Sequence, residues 1–179
     1  MSELLARTQF FPGREPITTH DYEPSDADRE NMYEAIEQAR RALAAGDNPI
    51  GAVLWEPSSG MKWKGQTEEI RRGDAEAHAE KLVYRDLIAE RPEYGHDLST
   101  FCMYSPAEPC VGCSHLVDQV NLGILFIAAT RDDASGFFRK KKIRMENILA
   151  GSERSFTVIS GLLAVEALEL LTATNRIHR

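Results

Sequence analysis

Two short segments constrain this chain more than anything else in it. One reads Pro109-Cys110-Val111-Gly112-Cys113, and the other reads His78-Ala79-Glu80, with His78 thirty-two residues before Cys110. Cys110 and Cys113 stand three apart at what reads as a helix start, so both sulfurs face one side. A helix N-terminus is positively polarised and favours the thiolate form. His78 reads as part of the first turn of a second helix. Two thiolates and an imidazole are donors that hold zinc. Three such ligands leave the fourth tetrahedral position to water, the arrangement of a catalytic site, whereas a structural site closes with a fourth protein ligand. A fold that uses both segments together must bring two helix starts into contact.

Glu80 follows His78 by two residues and is expected beside the metal and off it, where it takes and returns protons. The backbone N–H of Cys110, at its helix start, is the candidate stabiliser of developing oxygen charge. The other donors read differently. Cys102 sits in an apolar strand and reads as core filling. His115 falls on another face of the Cys110 helix. His20, His96 and His178 lie in polar or terminal segments.

Around these segments helices and strands alternate. Residues 1–24 hold Pro12, Gly13, Pro16 and Pro24 and read as an irregular arm, with one domain over residues 25–179. Ser25 is an N-cap signal, followed by Asp26, Asp28 and Glu30 and by apolar Met32, Ile36, Ala39 and Leu43 at helical spacing; Gly46 ends that helix. Residues 50–55 and 61–65 read as a hairpin, and residues 66–73 as a polar loop. A helix is expected over residues 75–90, with Asp74 as its cap. Strands are expected at 101–105, 123–129 and 156–159, and helices at 110–120, near Glu146 and at 162–172. This alternation predicts an α/β fold with helices covering a mixed sheet.

Composition excludes several function classes. The 179 residues carry 28 acidic and 21 basic side chains, a net charge of -7, which argues against a nucleic-acid partner held by general phosphate contact. No run approaches the roughly 20 apolar residues of a membrane span, and no secretory leader is read at the N-terminus. The expectation is a soluble cytoplasmic protein with no membrane partner. Three cysteines, two of them in one Cys-x-x-Cys, suit a metal site better than a disulfide frame.

The order His-x-Glu followed by Pro-Cys-x-x-Cys is the known signature of zinc deaminases. On that pattern, and on Asn48-Pro49-Ile50-Gly51-Ala52-Val53-Leu54, Glu108-Pro109-Cys110 and Ala129-Thr130-Arg131-Asp132, the chain resembles the cytidine deaminase-like superfamily. Within it, the branch resembled is that of tRNA adenosine deaminases, guanine deaminases and related base or nucleoside deaminases. The resemblance implies a three-layer α/β/α sandwich with a mixed five-stranded sheet. It also implies Zn2+ as cofactor, hydrolytic loss of ammonia from a small aminated heterocycle, and a homodimer.

One departure bears on substrate. Family members place an asparagine eleven residues before the metal histidine; here that position is Thr67, whose hydroxyl has a shorter reach and a different donor set. Asn48 either supplies the missing amide or caps the turn before Pro49. Phe137 and Phe138 fall where relatives line the pocket, and read either as a stacking surface for a flat ring or as core. The basic run of residues 139–144 reads as a solvated helix face or as an RNA contact. Three readings follow. The first is a base, nucleoside or related ring deaminase. The second is a tRNA adenosine-editing enzyme. The third is a non-catalytic zinc-stabilised partner subunit, which would have no use for Glu80. Two segments stay open as closures of the pocket, the N-terminal arm and the tail of residues 175–179.

Overall fold

The computed structural model describes residues 7–11, 19–21, 23–138 and 142–172. Ser25 starts α1 (Asp26–Ala44) as the sequence suggests: its hydroxyl accepts from the Asp28 N–H at 3.2 Å, and the Asp28 carboxylate accepts from the Ser25 N–H at 2.9 Å. Asp28 also accepts from the Tyr104 hydroxyl at 2.7 Å, which ties the helix start to the sheet beneath it. Gly51 lets that helix lie close, because a Cβ there would overlap the carbonyl oxygen of Ala35.

The strands are β1 (Arg7–Phe11), β2 (Thr19–Asp21), β3 (Gly51–Trp55), β4 (Lys62–Gln66), β5 (Cys102–Ala107), β6 (Ile124–Ala129) and β7 (Phe156–Ser160). They form one sheet in the order β2-β1-β7-β6-β5-β3-β4. The pairs β3–β4 and β3–β5 are antiparallel, and β5–β6 and β6–β7 are parallel. The five strands from β3 to β7 are the mixed sheet that was expected. The arm is a correction: residues 7–11 and 19–21 are strands where an irregular segment was expected. Without β1, strand β7 would be an edge with unpaired N–H and C=O groups. Antiparallel pairing from Arg7 opposite Ser160 to Phe11 opposite Phe156 fills that edge.

Alternation along the strands separates two cores. Ala52, Leu54, Leu125 and Ile127 face one cluster, with side chains of α3 (Ala79–Glu90), α4 (Val111–Gln119) and α5 (Met145–Ala150). Val53, Tyr104, Phe126 and Ala128 face the other, with α1 and α6 (Ala164–Thr172). Helices thus cover both faces of the sheet. Among the described residues no helix is long and apolar enough to cross a membrane.

Two boundaries move. The loop expected over residues 66–73 contains a one-turn helix, α2 (Glu69–Arg72), ended by Gly73 at φ 62. The next helix starts at Ala79 and not near residue 75, because the Asp74 carboxylate accepts from the Glu76 N–H at 2.9 Å and holds residues 74–76 in a turn. Asp74 is therefore a turn residue and not the cap of α3. His78 occupies the N-cap, in extended conformation, where a place in the first turn was expected.

Candidate metal centre and substrate cavity

The mouths of α3 and α4 meet on one side of the sheet. Cys110 is the N-cap of α4, and its sulfur accepts from the Cys113 N–H at 3.5 Å. Cys113 lies one turn in and is buried. His78, projecting from the start of α3, turns Nδ1 toward both sulfurs, 3.6 Å from Cys110 Sγ and 3.5 Å from Cys113 Sγ. A tetrahedral zinc with ordinary Zn–N and Zn–S bonds sets its nitrogen and sulfur ligands about 3.6 Å apart. The three side chains therefore fit zinc by donor type and by spacing, and all their ligand atoms lie within 4.8 Å of one another.

The charges suit a metal site. Hydrogen bonding from Cys113, reinforced by His78, pulls the Cys110 thiol down to about 3. The Cys113 thiol moves up, because it donates to Cys110 and is buried. Cys110 and then Glu69 raise His78 to about 10. Without metal the centre is thus a thiolate beside an imidazolium and a protonated thiol. Glu80 is 3% exposed, and its Oε2 stands 3.5 Å from Cys113 Sγ. Burial raises its carboxyl above the usual carboxylate range.

Asn48, Thr67, His78, Glu80, Cys110, Phe137 and Phe138 all line one cavity of about 770 Å³, so the residues singled out in the sequence are brought together. Thr67 is 1% exposed, and its hydroxyl donates to the Ala77 carbonyl at 3.1 Å. Its first role is to fix the chain leading into His78. The Asn48 amide nitrogen donates to Glu69 Oε2 at 3.4 Å. Phe137 packs in the α1-side core while touching the cavity. Phe138 stands at right angles to it, 5.1 Å between ring centres, under the Arg131 guanidinium at 4.5 Å. The other donors stand apart: Cys102 belongs to the opposite core, its thiol pushed up to about 12 chiefly by burial, and His96 and His115 are exposed. His178, residues 175–179 and the His20 side chain lie outside the described residues.

Three further residues that line the cavity were not singled out in the sequence as site residues. Glu69, in the supposed loop, reaches His78 Nε2 at 3.3 Å from Oε1. Glu108, 5% exposed, accepts from the Arg131 N–H at 3.0 Å and from Arg144 Nη2 at 3.1 Å. Arg131, quoted earlier only as part of a motif, makes the lid of the Phe138 ring. Arg144 belongs to the basic run, but it is held by Glu108 and by both oxygens of Asp132 at 3.0 Å, so it is not a free phosphate contact. Residues 139–141 of that run lie outside the described residues. The acidic spacing of Glu108 to the arginines offered no local signal for the pairing.

The family model for the cytidine and deoxycytidylate deaminase zinc-binding region matches residues 25–129. The chain is 28% identical to the guanine deaminase from Nitrosomonas europaea, with a TM-score of 0.71 over 84% of this chain and 86% of that one. It is 33% identical over 90 residues to the tRNA-specific adenosine deaminase of Haemophilus influenzae, half of each chain (50% and 51%). It is 30% identical over 103 residues to the tRNA(Ile)-lysidine synthase of Thermus thermophilus, 58% of this chain and 18% of that protein. The chain thus spans about half or less of the curated relatives it matches.

Proposed function

Because the chain belongs to the cytidine and deoxycytidylate deaminase zinc-binding family, we propose that it is a hydrolytic deaminase of a small, uncharged aminated heterocycle. The observation that carries this reading is the pairing of a three-ligand zinc centre with the buried Glu80 carboxyl, 3.5 Å from Cys113 Sγ. Zinc, when bound by His78, Cys110 and Cys113, supplies an activated water to the amine-bearing ring carbon. The chain's own residues do the rest.

Glu80 accepts a proton on its carboxylate and passes protons to the ring nitrogen and to the departing amine. Burial raises its carboxyl above the usual carboxylate range, the direction that suits a group which takes up a proton and then gives it back. The Cys110 backbone N–H, at the start of α4, steadies the developing oxygen charge. The net change adds water, breaks the ring C–NH2 bond, leaves a ring carbonyl and releases ammonia.

The substrate wall is built from Phe137 and Phe138, with Asn48 and Glu69 as its polar edge. Glu69 is a carboxylate that only accepts, so the Asn48 nitrogen faces it and the amide carbonyl is the group offered to a ring N–H. Glu69, Glu76 and Glu108 line the cavity beside Lys81 and Arg131, a balance that disfavours a phosphorylated substrate. Resemblance to a guanine deaminase supports an aminopurine, with aminopyrimidines and aminotriazines in the same class. The expected setting is cytoplasmic, and the family resemblance supports a homodimer. Ammonia release from a panel of free bases, nucleosides and related aminated rings tests this proposal, and a fully inactive panel counts against it.

A second reading, tRNA adenosine editing, draws on the similarity to a tRNA-specific adenosine deaminase. It requires tRNA binding that falls steeply with salt and with neutralisation of residues 140–142. Binding indifferent to both removes it.

A further inference from the structure

His78 uses both ring nitrogens. Nδ1 faces the two sulfurs, and Nε2, on the opposite edge, lies 3.3 Å from Glu69 Oε1. Glu69 is itself held. Its other oxygen, Oε2, is 3.4 Å from the Asn48 amide nitrogen and 3.4 Å from the Thr67 hydroxyl. The turn that carries it, α2, is anchored from a separate loop by Asp47, which is 0% exposed. The Asp47 carboxylate accepts from the Ile70 N–H at 3.0 Å and from the Arg71 N–H at 3.1 Å. Gly73, at φ 62, closes the turn so that the chain can re-enter toward His78.

From this arrangement we propose that Glu69, braced by Asp47 through α2, is a positioning residue for the metal: it holds His78 as the tautomer with hydrogen on Nε2 and a lone pair on Nδ1 aimed between the sulfurs. A metal histidine whose remote N–H is bound by a carboxylate keeps a fixed ring orientation and a more basic ligand nitrogen, and losing that partner typically costs 10–100-fold in metal affinity. Asp47 does not line the cavity, and its carboxylate is engaged by the α2 backbone. It acts by fixing where Glu69 stands. The inference rests on the zinc site and on no choice of substrate.

The test measures zinc binding of the full chain by competition with a coloured chelator. Glu69→Ala is expected to weaken zinc binding about 10–100-fold and to speed zinc release. Glu69→Gln keeps an acceptor oxygen without the charge and is expected to fall between that variant and wild type. Asp47→Asn is expected to shift zinc binding in the same direction by less. A purely structural role for Glu69 would lower the melting temperature of the zinc-free protein and leave the zinc dissociation constant unchanged, and that result overturns the proposal. Nitrogen NMR of zinc-loaded wild type gives an answer even if the variants fail to fold: a protonated His78 Nε2 and a metal-bound Nδ1 support the proposal, and the reverse assignment refutes it. A wild-type chain that binds no zinc would instead overturn the metal site itself.

Discussion

The Glu80 carboxylate stands 3.5 Å from the Cys113 sulfur, buried and outside the three donors that fit zinc. That separation of roles predicts a separation of phenotypes. Glu80→Gln should retain zinc at the wild-type ratio and lose about 10²–10⁴-fold in ammonia release, the usual contribution of a positioned acid–base group. Metal analysis and a rate measurement on one sample check it. Parallel loss of zinc and activity would make Glu80 a ligand or a structural residue.

Zinc uptake should strengthen with pH. In the metal-free centre Cys110 is already ionised above about 3, whereas His78 holds its proton to about 10 and Cys113 is raised above the ordinary thiol range. Zinc must displace a proton from each of the latter two, so apparent affinity should rise on the order of 100-fold per pH unit between pH 6 and 9. Chelator titrations across that range measure the slope, and a flat profile would refute the charge arrangement.

Thr67 and Asn48 should separate on mutation, although both line the cavity. Thr67→Val removes one of the two hydrogen bonds to the Ala77 carbonyl, which keeps the Glu68 N–H at 2.9 Å, and should cost about 0.5–1.5 kcal/mol of stability. Asn48→Ala should raise KM for the preferred heterocycle with little change in melting temperature. Thermal unfolding and steady-state kinetics distinguish the two, and a large KM effect from Thr67→Val with unchanged stability would reverse the assignment.

Arg144→Ala should destabilise the fold by about 1–3 kcal/mol, because it leaves the buried Glu108 carboxylate with Arg131 alone. Glu108 at the end of β5 and Arg131 beyond β6 set the height of the Phe138 ring, so the same variant should raise KM. Unchanged stability would mean that Arg144 is a solvated charge, as a basic run ordinarily is.

Much of this was legible in local pattern. The capping pair Ser25 and Asp28, the apolar run through Ala52, Val53 and Leu54, and the candidate metal donors His78, Cys110 and Cys113 are each written within short local segments. What was hidden depends on partners distant in sequence. The strand at residues 7–11 needs the open edge of β7 to form. The turn α2 is too short to show a period, and Asp47, which anchors it, lies in another loop. Glu69 looked like loop charge until His78 and Asn48 stood around it. Asp74 carries an N-cap residue type and instead turns the chain, which moves the start of α3 to Ala79 with His78 as its N-cap.

The most direct measurement of the central claim is product analysis in ¹⁸O-labelled water, using zinc-loaded wild-type protein and the amino-heterocycle that responds in the panel. A zinc-dependent hydrolytic deaminase should release one ammonia for each ring carbonyl formed, with the label in that carbonyl, and should stop when zinc is chelated. Turnover that survives zinc removal, or ammonia release without label in the ring, would contradict it.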